Sequence, residues 1–440
     1  MDTGDTAWVL ASSALVLLMT PGLAFFYGGM VRSKSVLNML MMNFVTIGIV
    51  TLLWVLYGFS VAFGDARSGL WGGLDWAGMK HMTTIETTFN GSEYHIPLLV
   101  FAAFQLMFAV ITPALVSGAI ADRAKFGAWM LFVVLWVSIV YFPVAHWVFD
   151  FGGPKGEPGW LAGKGVLDFA GGTAVHVNAG AAGLALALVL GRRIGWKKDP
   201  MRPHNLTLVM LGAGLLWFGW FGFNAGSALG ANALAGQAFF TTMVATATAM
   251  LGWLVVERIR DGHFTSLGAA SGAVAGLVAI TPACAFVTPV GAVILGLLAG
   301  AVCALAVGLK WRLGFDDALD VVGVHLVGGA LGAISLGFLS VYAGSKGLLY
   351  GGDLTVLGNQ VLAVVAVGGY SFVVAYLLGK LIDMTMGFRI SREQEVEGVD
   401  LFAHAETGYD IHSAGTGSGA LVGSISPVTQ AHAEAREVNA

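Results

Sequence analysis

The sequence predicts an all-α polytopic membrane protein: eleven transmembrane helices, built as an inverted five-helix repeat followed by one final helix. Three observations carry that prediction. They are a composition poor in charge, a series of apolar segments of spanning length, and an acid-and-histidine pattern that recurs five segments apart.

The 440 residues are 57% hydrophobic and 11% charged, with a mean hydropathy of +0.79. Soluble domains carry about 25% charged residues, so this chain cannot cover a water-facing surface, and lipid is the solvent that suits it. A formal charge of −4 with no basic face argues against nucleic acid as a partner. Glycine makes up 63 of 440 residues, twice the usual share of about 7%. Spacings such as Gly180/Gly183 and Gly268/Gly272/Gly276 suit close helix approach in a membrane bundle. Cys284 and Cys303 sit in apolar stretches and read as packing residues rather than a disulfide or metal pair. No cofactor is implied.

A spanning helix needs about 20 apolar residues. Such segments occur near 7–31, 37–63, 95–120, 127–148, 169–190, 205–228, 236–256, 264–285, 288–309, 319–340 and 357–385. The opening MDTGDTAW lacks the basic stretch of a cleavable signal, so the first segment reads as a retained span. Pro282 and several glycines interrupt the eighth segment. Basic residues crowd the loops after odd-numbered spans: Arg32 and Lys34; Arg123 and Lys125; Arg192, Arg193, Lys197, Lys198 and Arg202; Arg258 and Arg260; Lys310 and Arg312. The longer alternate loops hold only Arg67, Lys80, Lys155, Lys164 and Lys346. The positive-inside rule then puts the N-terminus outside and the C-terminus in the cytoplasm. Residues 1–386 form the membrane domain, and 387–413 mix charge with apolar anchors as an ordered, docked cytoplasmic tail would. Residues 414–440, rich in Gly, Ser and Ala, bury too little apolar surface to order and are expected to be disordered.

The fifth span opens with Asp168-Phe-Ala-Gly-Gly-Thr-Ala-Val-His176, and the tenth contains Asp320-Val-Val-Gly-Val-His325. Five spans is an odd number, so the two halves have opposite orientation, and transporters so built place their sites at the repeat interface near the midplane. Titratable groups inside spans are costly and usually functional. At 1.5 Å per residue each histidine lies roughly 10 Å into its helix, and a matched pair can meet on the axis between the halves. Asp168 and Asp320 read as helix N-terminal caps, with Asp168 also facing the outer mouth. Phe104, Phe108, His146, Trp147, Phe149, Trp217, Trp220, Phe221 and Phe223 cluster on the same helices. Such aromatics are packing or interface groups, or a cage that attracts a small cation.

At these residues the sequence closely resembles the ammonium transporter family (Amt/Mep/Rh), bacterial Amt branch. The resemblance rests on PGLAFFYGGMVRSKSVLNM (21–39), FQLMFAVITPALVSGAIADR (104–123), LDFAGGTAVHVNAG (167–180), GWFGFNAGSA (219–228), TPAC (281–284), DDALDVVGVH (316–325) and the tail segment EQEVEGVDLFAHAETGYD (393–410). It implies a multi-pass homotrimer of the cytoplasmic membrane with one pore per subunit. Phe108 and Phe223 correspond to a stacked phenylalanine gate, and Ser227 to a hydroxyl that accepts a hydrogen bond from ammonium. His176 and His325 correspond to a twin-histidine pair, Asp168 to an acid organising the recruitment site, and Thr281 to a pore-side threonine. In many members a Trp stands three residues after the histidine of AH-x-x-W. Here Phe149 holds that position, with Trp147 two residues earlier, and either ring can complete the recruitment vestibule. The tail, with Glu393, Glu397, Gly398 and Asp400, resembles the segment that couples to a PII-type signal protein. Rival readings are an ammonium sensor of the same fold, a neutral-gas channel of the Rh type, and an intramembrane enzyme. The last finds no nucleophile–base pair or metal cluster to support it, so the chain reads as not an enzyme.

Overall fold

The structure is a computed structural model that describes residues 1–80, 82, 88, 89, 92, 93, 95–152 and 157–409. The expected disordered segment 414–440, and the tail segment beyond 409, lie outside the described residues. Among the described residues ten helices are long and apolar enough to cross a bilayer: α1 (Thr3–Met30), α2 (Ser33–Phe63), α3 (Leu98–Ile120), α4 (Phe126–Phe149), α5 (Gly172–Leu190), α6 (Leu206–Gly226), α7 (Ala233–Asp261), α9 (Pro289–Leu313), α10 (Val322–Leu339) and α11 (Leu354–Met386). The eleventh, α8 (Ser266–Ile280), is shorter. Two short tail helices follow, α12 (Arg392–Glu397) and α13 (Val399–His404). Strand pairing among the described residues comprises two-residue hairpins in the loop after α2 and one isolated antiparallel bridge between Ala124 and Arg389.

Helix α8 departs from the expected 264–285 because Pro282 cannot continue it. Its 15 residues reach about 22 Å, short of the hydrocarbon thickness of about 30 Å. Buried turns from Thr281 to Phe286 complete the path. Irregular backbone survives at that depth only where protein satisfies it. Here the Cys284 carbonyl accepts the Thr241 hydroxyl at 2.6 Å and the Pro282 carbonyl accepts Phe169 N–H at 3.2 Å.

The two halves meet mainly through α1 against α6, and α11 packs on α5, α10 and α4 at the edge of the bundle. Glycines decide how closely the halves approach. A Cβ at Gly180 on α5 would lie 2.4 Å from the Leu326 amide nitrogen on α10, and one at Gly329 on α10 would lie 2.8 Å from the Gly172 carbonyl and 3.0 Å from His176 Cβ on α5. Each glycine stands four residues after its helix's histidine, so the two backbones touch where the histidines are.

One end of the bundle carries the tail together with the loops after α1, α3, α5 and α9. There Arg193 reaches Asp316 through Nε and Nη2, both at 2.9 Å, and Asp122 through Nη1 at 3.2 Å. Arg32 approaches the same Asp122 at 3.4 Å. The buried Arg123 donates to the Ala119, Ala121 and Asp316 carbonyls. This network ties the first half to the second. Burial pushes the Asp316 carboxyl up, but the hydrogen bonds from Arg193 and the charges of Arg123 and Arg193 outweigh it and hold the group below its ordinary range. Its stabilisation is therefore present above the unfolded carboxyl value of about 3.9 and is lost as pH falls through the lower folded value. Arg193→Ala removes the bidentate partner of Asp316 and one of the two arginine partners of Asp122, and should cost about 3 kcal/mol. A lower thermal unfolding midpoint in detergent checks this, and an unchanged midpoint would contradict it.

Candidate conduction site

Both histidines sit in π-helical turns, Gly172–Val177 and Val322–Leu326. The His176 N–H bonds the Gly171 carbonyl five residues back, at 3.1 Å. Such turns insert one extra residue into a helix and are frequent at functional positions. Each is anchored by a carboxylate at its start. Asp168 accepts Gly171 N–H at 2.9 Å, Gly172 N–H at 2.6 Å, Thr173 N–H at 2.8 Å, Ala174 N–H at 3.2 Å and the Thr173 hydroxyl. Those are the N–H groups a helix start leaves unpaired. The acid is thus engaged in holding the turn that carries His176.

The matching acid in the second half corrects the sequence reading. Asp317, not Asp320, accepts Val321 N–H at 3.1 Å and Val322 N–H at 2.7 Å. Asp317 precedes His325 by the same eight residues that separate Asp168 from His176. That spacing was the signal, and the nearer Asp320 masked it. Asp320 instead pairs with Lys310 at 2.6 Å.

Nδ1 of His176 and Nδ1 of His325 are 3.3 Å apart, with both side chains buried. At that distance one Nδ1 can donate to the other when its ring carries the proton there, so the pair is placed to share a proton between the two rings. His176 stacks on Trp220, with centroids 5.3 Å apart at 21°, and Phe223 lies 6.0 Å away. Its Nε2 is buried with no hydrogen-bond partner among the described residues. Thr281 stands behind this wall. Its hydroxyl takes the Trp220 indole N–H at 2.8 Å and donates to the Leu277 carbonyl at 2.7 Å, so it fixes the ring that stacks on His176. Neither Trp220 nor this Thr281 contact was legible as a unit in the sequence.

Above the histidines, the rings of Phe108 and Phe223 stack at 4.2 Å and 29°. Beyond them opens a cavity of about 340 Å³ lined by Phe108, Phe149, Asp168, Ser227, Phe286 and Gln105 among others. Phe149 faces this cavity, 6.5 Å from Phe108. Trp147 points elsewhere: its indole donates to the Leu70 carbonyl at 2.7 Å, and its ring packs on Trp160 and Tyr370. The Ser227 hydroxyl donates to the Phe223 carbonyl at 2.8 Å, which leaves its oxygen free to accept. Below the histidines a gap of about 10 Å³, lined by His325, Tyr27, Ser271 and Asp320 among others, leads toward the tail end. That volume holds about one water molecule.

The tail residues divide. Asp400 accepts Leu37 N–H at 2.9 Å and Asn38 N–H at 2.8 Å at the start of α2. Gly398 is held against Lys34, where a Cβ would come within 2.7 Å. Glu393 and Glu397 are exposed. Glu395, which the sequence did not single out, is buried and accepts Ile194 N–H and Arg389 Nη2, each at 2.7 Å.

Because Asp168 serves five donors, Asp168→Ala should lower the unfolding midpoint as well as transport, with unmet donors costing about 1–3 kcal/mol each at most. Asp168→Asn should lie between Ala and wild type. Loss of transport at an unchanged midpoint would instead make Asp168 a direct ligand.

Comparison with known proteins agrees with this geometry. The family described as Ammonium Transporter Family matches residues 7–409. An "Ammonium transporter" of Mycobacterium tuberculosis (strain H37Rv) is 57% identical over 433 residues, covering 93% of this chain and 91% of its own. An "Ammonium transporter" of Bacillus subtilis (strain 168) is 47% identical over 418 residues, covering 93% and 99%. Among solved structures, a "Sensor Amt Protein" superposes with a TM-score of 0.84 at 30% identity, covering 91% of this chain and 98% of its own. Saccharomyces cerevisiae Mep2 does so with 0.81 at 33%, covering 94% and 93%. A multi-pass helical bundle with paired buried histidines under a phenylalanine stack, matched nearly end to end by these relatives, belongs to the ammonium transporter family.

Proposed function

We propose that the chain takes up ammonium across the cytoplasmic membrane as a homotrimer with one conduction path per subunit. The observation that carries this reading is the 3.3 Å contact between His176 and His325 directly beneath the Phe108–Phe223 stack. The tail end is then cytoplasmic, as the basic loops require.

Moving a bare cation into hydrocarbon is prohibitively costly. In the outer cavity the Ser227 oxygen and the faces of Phe108 and Phe149 replace lost water, and a desolvated aromatic face is worth about 2 kcal/mol to a cation. Phenylalanine is a weaker face than tryptophan, so recruitment is modest. Desolvation favours the neutral form, and ammonium gives up a proton before or at the phenylalanine stack. Ammonia then passes the gate and meets the free Nε2 of His176 as a hydrogen-bond partner, while the shared Nδ1 proton offers a route for the released proton. Potassium has no N–H to donate or lose. Asp168 and Thr281 act by position, holding the His176 turn and the Trp220 wall.

The docked tail, with Glu393 and Glu397 outward and Gly398 and Asp400 inward, presents a surface for a PII-type signal protein. A sensor role is the second reading, carried by the likeness to a structure named as a sensor, and it requires binding without flux. Reconstitution in liposomes separates the possibilities. An ammonium jump should evoke current in the wild type and an equal potassium jump none. Ammonia flux without current would make transport electroneutral, and no flux at all would favour the sensor.

A further inference from the structure

Helix α11 lies outside the repeat, yet it bonds the first half on either side of the His176 turn. Near its start Gln360 is fully buried, with its carboxamide against the peptide groups of Leu167. Its Oε1 accepts Leu167 N–H at 2.8 Å, and its Nε2 donates to the Leu167 carbonyl at 2.7 Å and the Ala333 carbonyl at 3.0 Å. Both amide donors are thereby spent. Leu167 directly precedes Asp168, whose carboxylate holds the turn, and Ala333 stands eight residues after His325 on α10. Three turns further along the same face of α11, the buried Ser371 hydroxyl donates to the Asn178 carbonyl at 2.8 Å. Both pairs join residues 193 apart in sequence, so α11 runs beside this segment in one register.

From these contacts we infer that Gln360 is a positioning residue for conduction, its one carboxamide fixing the His176 turn against the helix that carries His325. The inference rests on the proposed path past the histidines. A π-helical turn inserts an extra residue into its helix, so the position of His176 along the helix depends on how both ends of the turn are held. Asp168 binds the amides of the turn from within the same segment and cannot fix that segment against α10. Gln360 can, because sliding the segment past α10 breaks its bonds to Leu167 or its bond to Ala333. Ser371 holds the other end, two residues after His176. A buried donor or acceptor left without a partner is costly, so the register is kept. The glycine contacts of α5 and α10 set how near the two helices lie, and Gln360 sets how far one slides along the other.

The test uses the full chain in lipid bilayers, with two readings normalised to folded protein. Solid-state NMR of histidine-labelled protein reads the coupling between the two Nδ1 atoms across their hydrogen bond. Liposome recordings give the ratio of ammonium to potassium current. Gln360→Leu should abolish the coupling seen in wild type and lower the current ratio by about tenfold. Ser371→Ala, which removes one hydroxyl, should lower the ratio by about threefold. If Gln360→Leu does not fold, the near-isosteric Gln360→Glu, with at most one donor for the two carbonyls, decides by the same readings. A purely structural role would lower the unfolding midpoint alone. Wild-type coupling and current ratio in the Gln360 variant that folds therefore overturn the positioning role. Absence of ammonium current in the wild type would instead overturn the transport reading.

Discussion

The site depends on one close approach, the crossing of α5 and α10 at Gly180 and Gly329. Any side chain at either position would meet the backbone, or the His176 Cβ, of the opposing helix. Membrane helices lack a hydrophobic drive to associate with one another and rely on such close packing. Here the packing also bears on the chemistry, since these contacts lie beside the two imidazoles that meet at 3.3 Å. The repeat supplies the same device twice, a capping acid eight residues before each histidine and a glycine four residues after it.

Holding two polar rings in lipid-like surroundings requires order around them. The π-helical turns would leave amide groups unpaired, and Asp168 and Asp317 take them up. Trp220, fixed by Thr281, presses on His176. At the tail end Arg193 bridges Asp122 and Asp316, so the two halves are clamped by charge at one end and by glycine contact at the middle. Glu395 caps the amide of Ile194, the residue next to Arg193, which places the tail in direct mechanical contact with that clamp.

Much of this was legible in the sequence. Eleven spans, the repeat and the histidine pair follow from apolar length and from titratable groups placed where lipid excludes them. The end of α8 was less so, because apolar residues continue past Pro282 while the backbone turns. The pairing of Asp168 with Asp317 was hidden by Asp320, which lies nearer the histidine and looks equally like a cap. Whether Phe149 or Trp147 faces the cavity depends on helix rotation, which two neighbouring aromatics do not reveal. Glu395 reads as one more charge in an acidic segment, and only the folded tail distinguishes it from the exposed Glu393 and Glu397.

On the proposed path, selection falls where ammonia leaves the phenylalanine stack and meets the paired imidazoles, since only a species able to shed a proton would travel further. The most direct measurement is the current carried by ammonium and by potassium in His176→Ala and His325→Ala, compared with wild type at equal gradients. Each variant should either lose the ammonium current or begin to admit potassium. Wild-type ammonium current with undiminished rejection of potassium in both variants would contradict it.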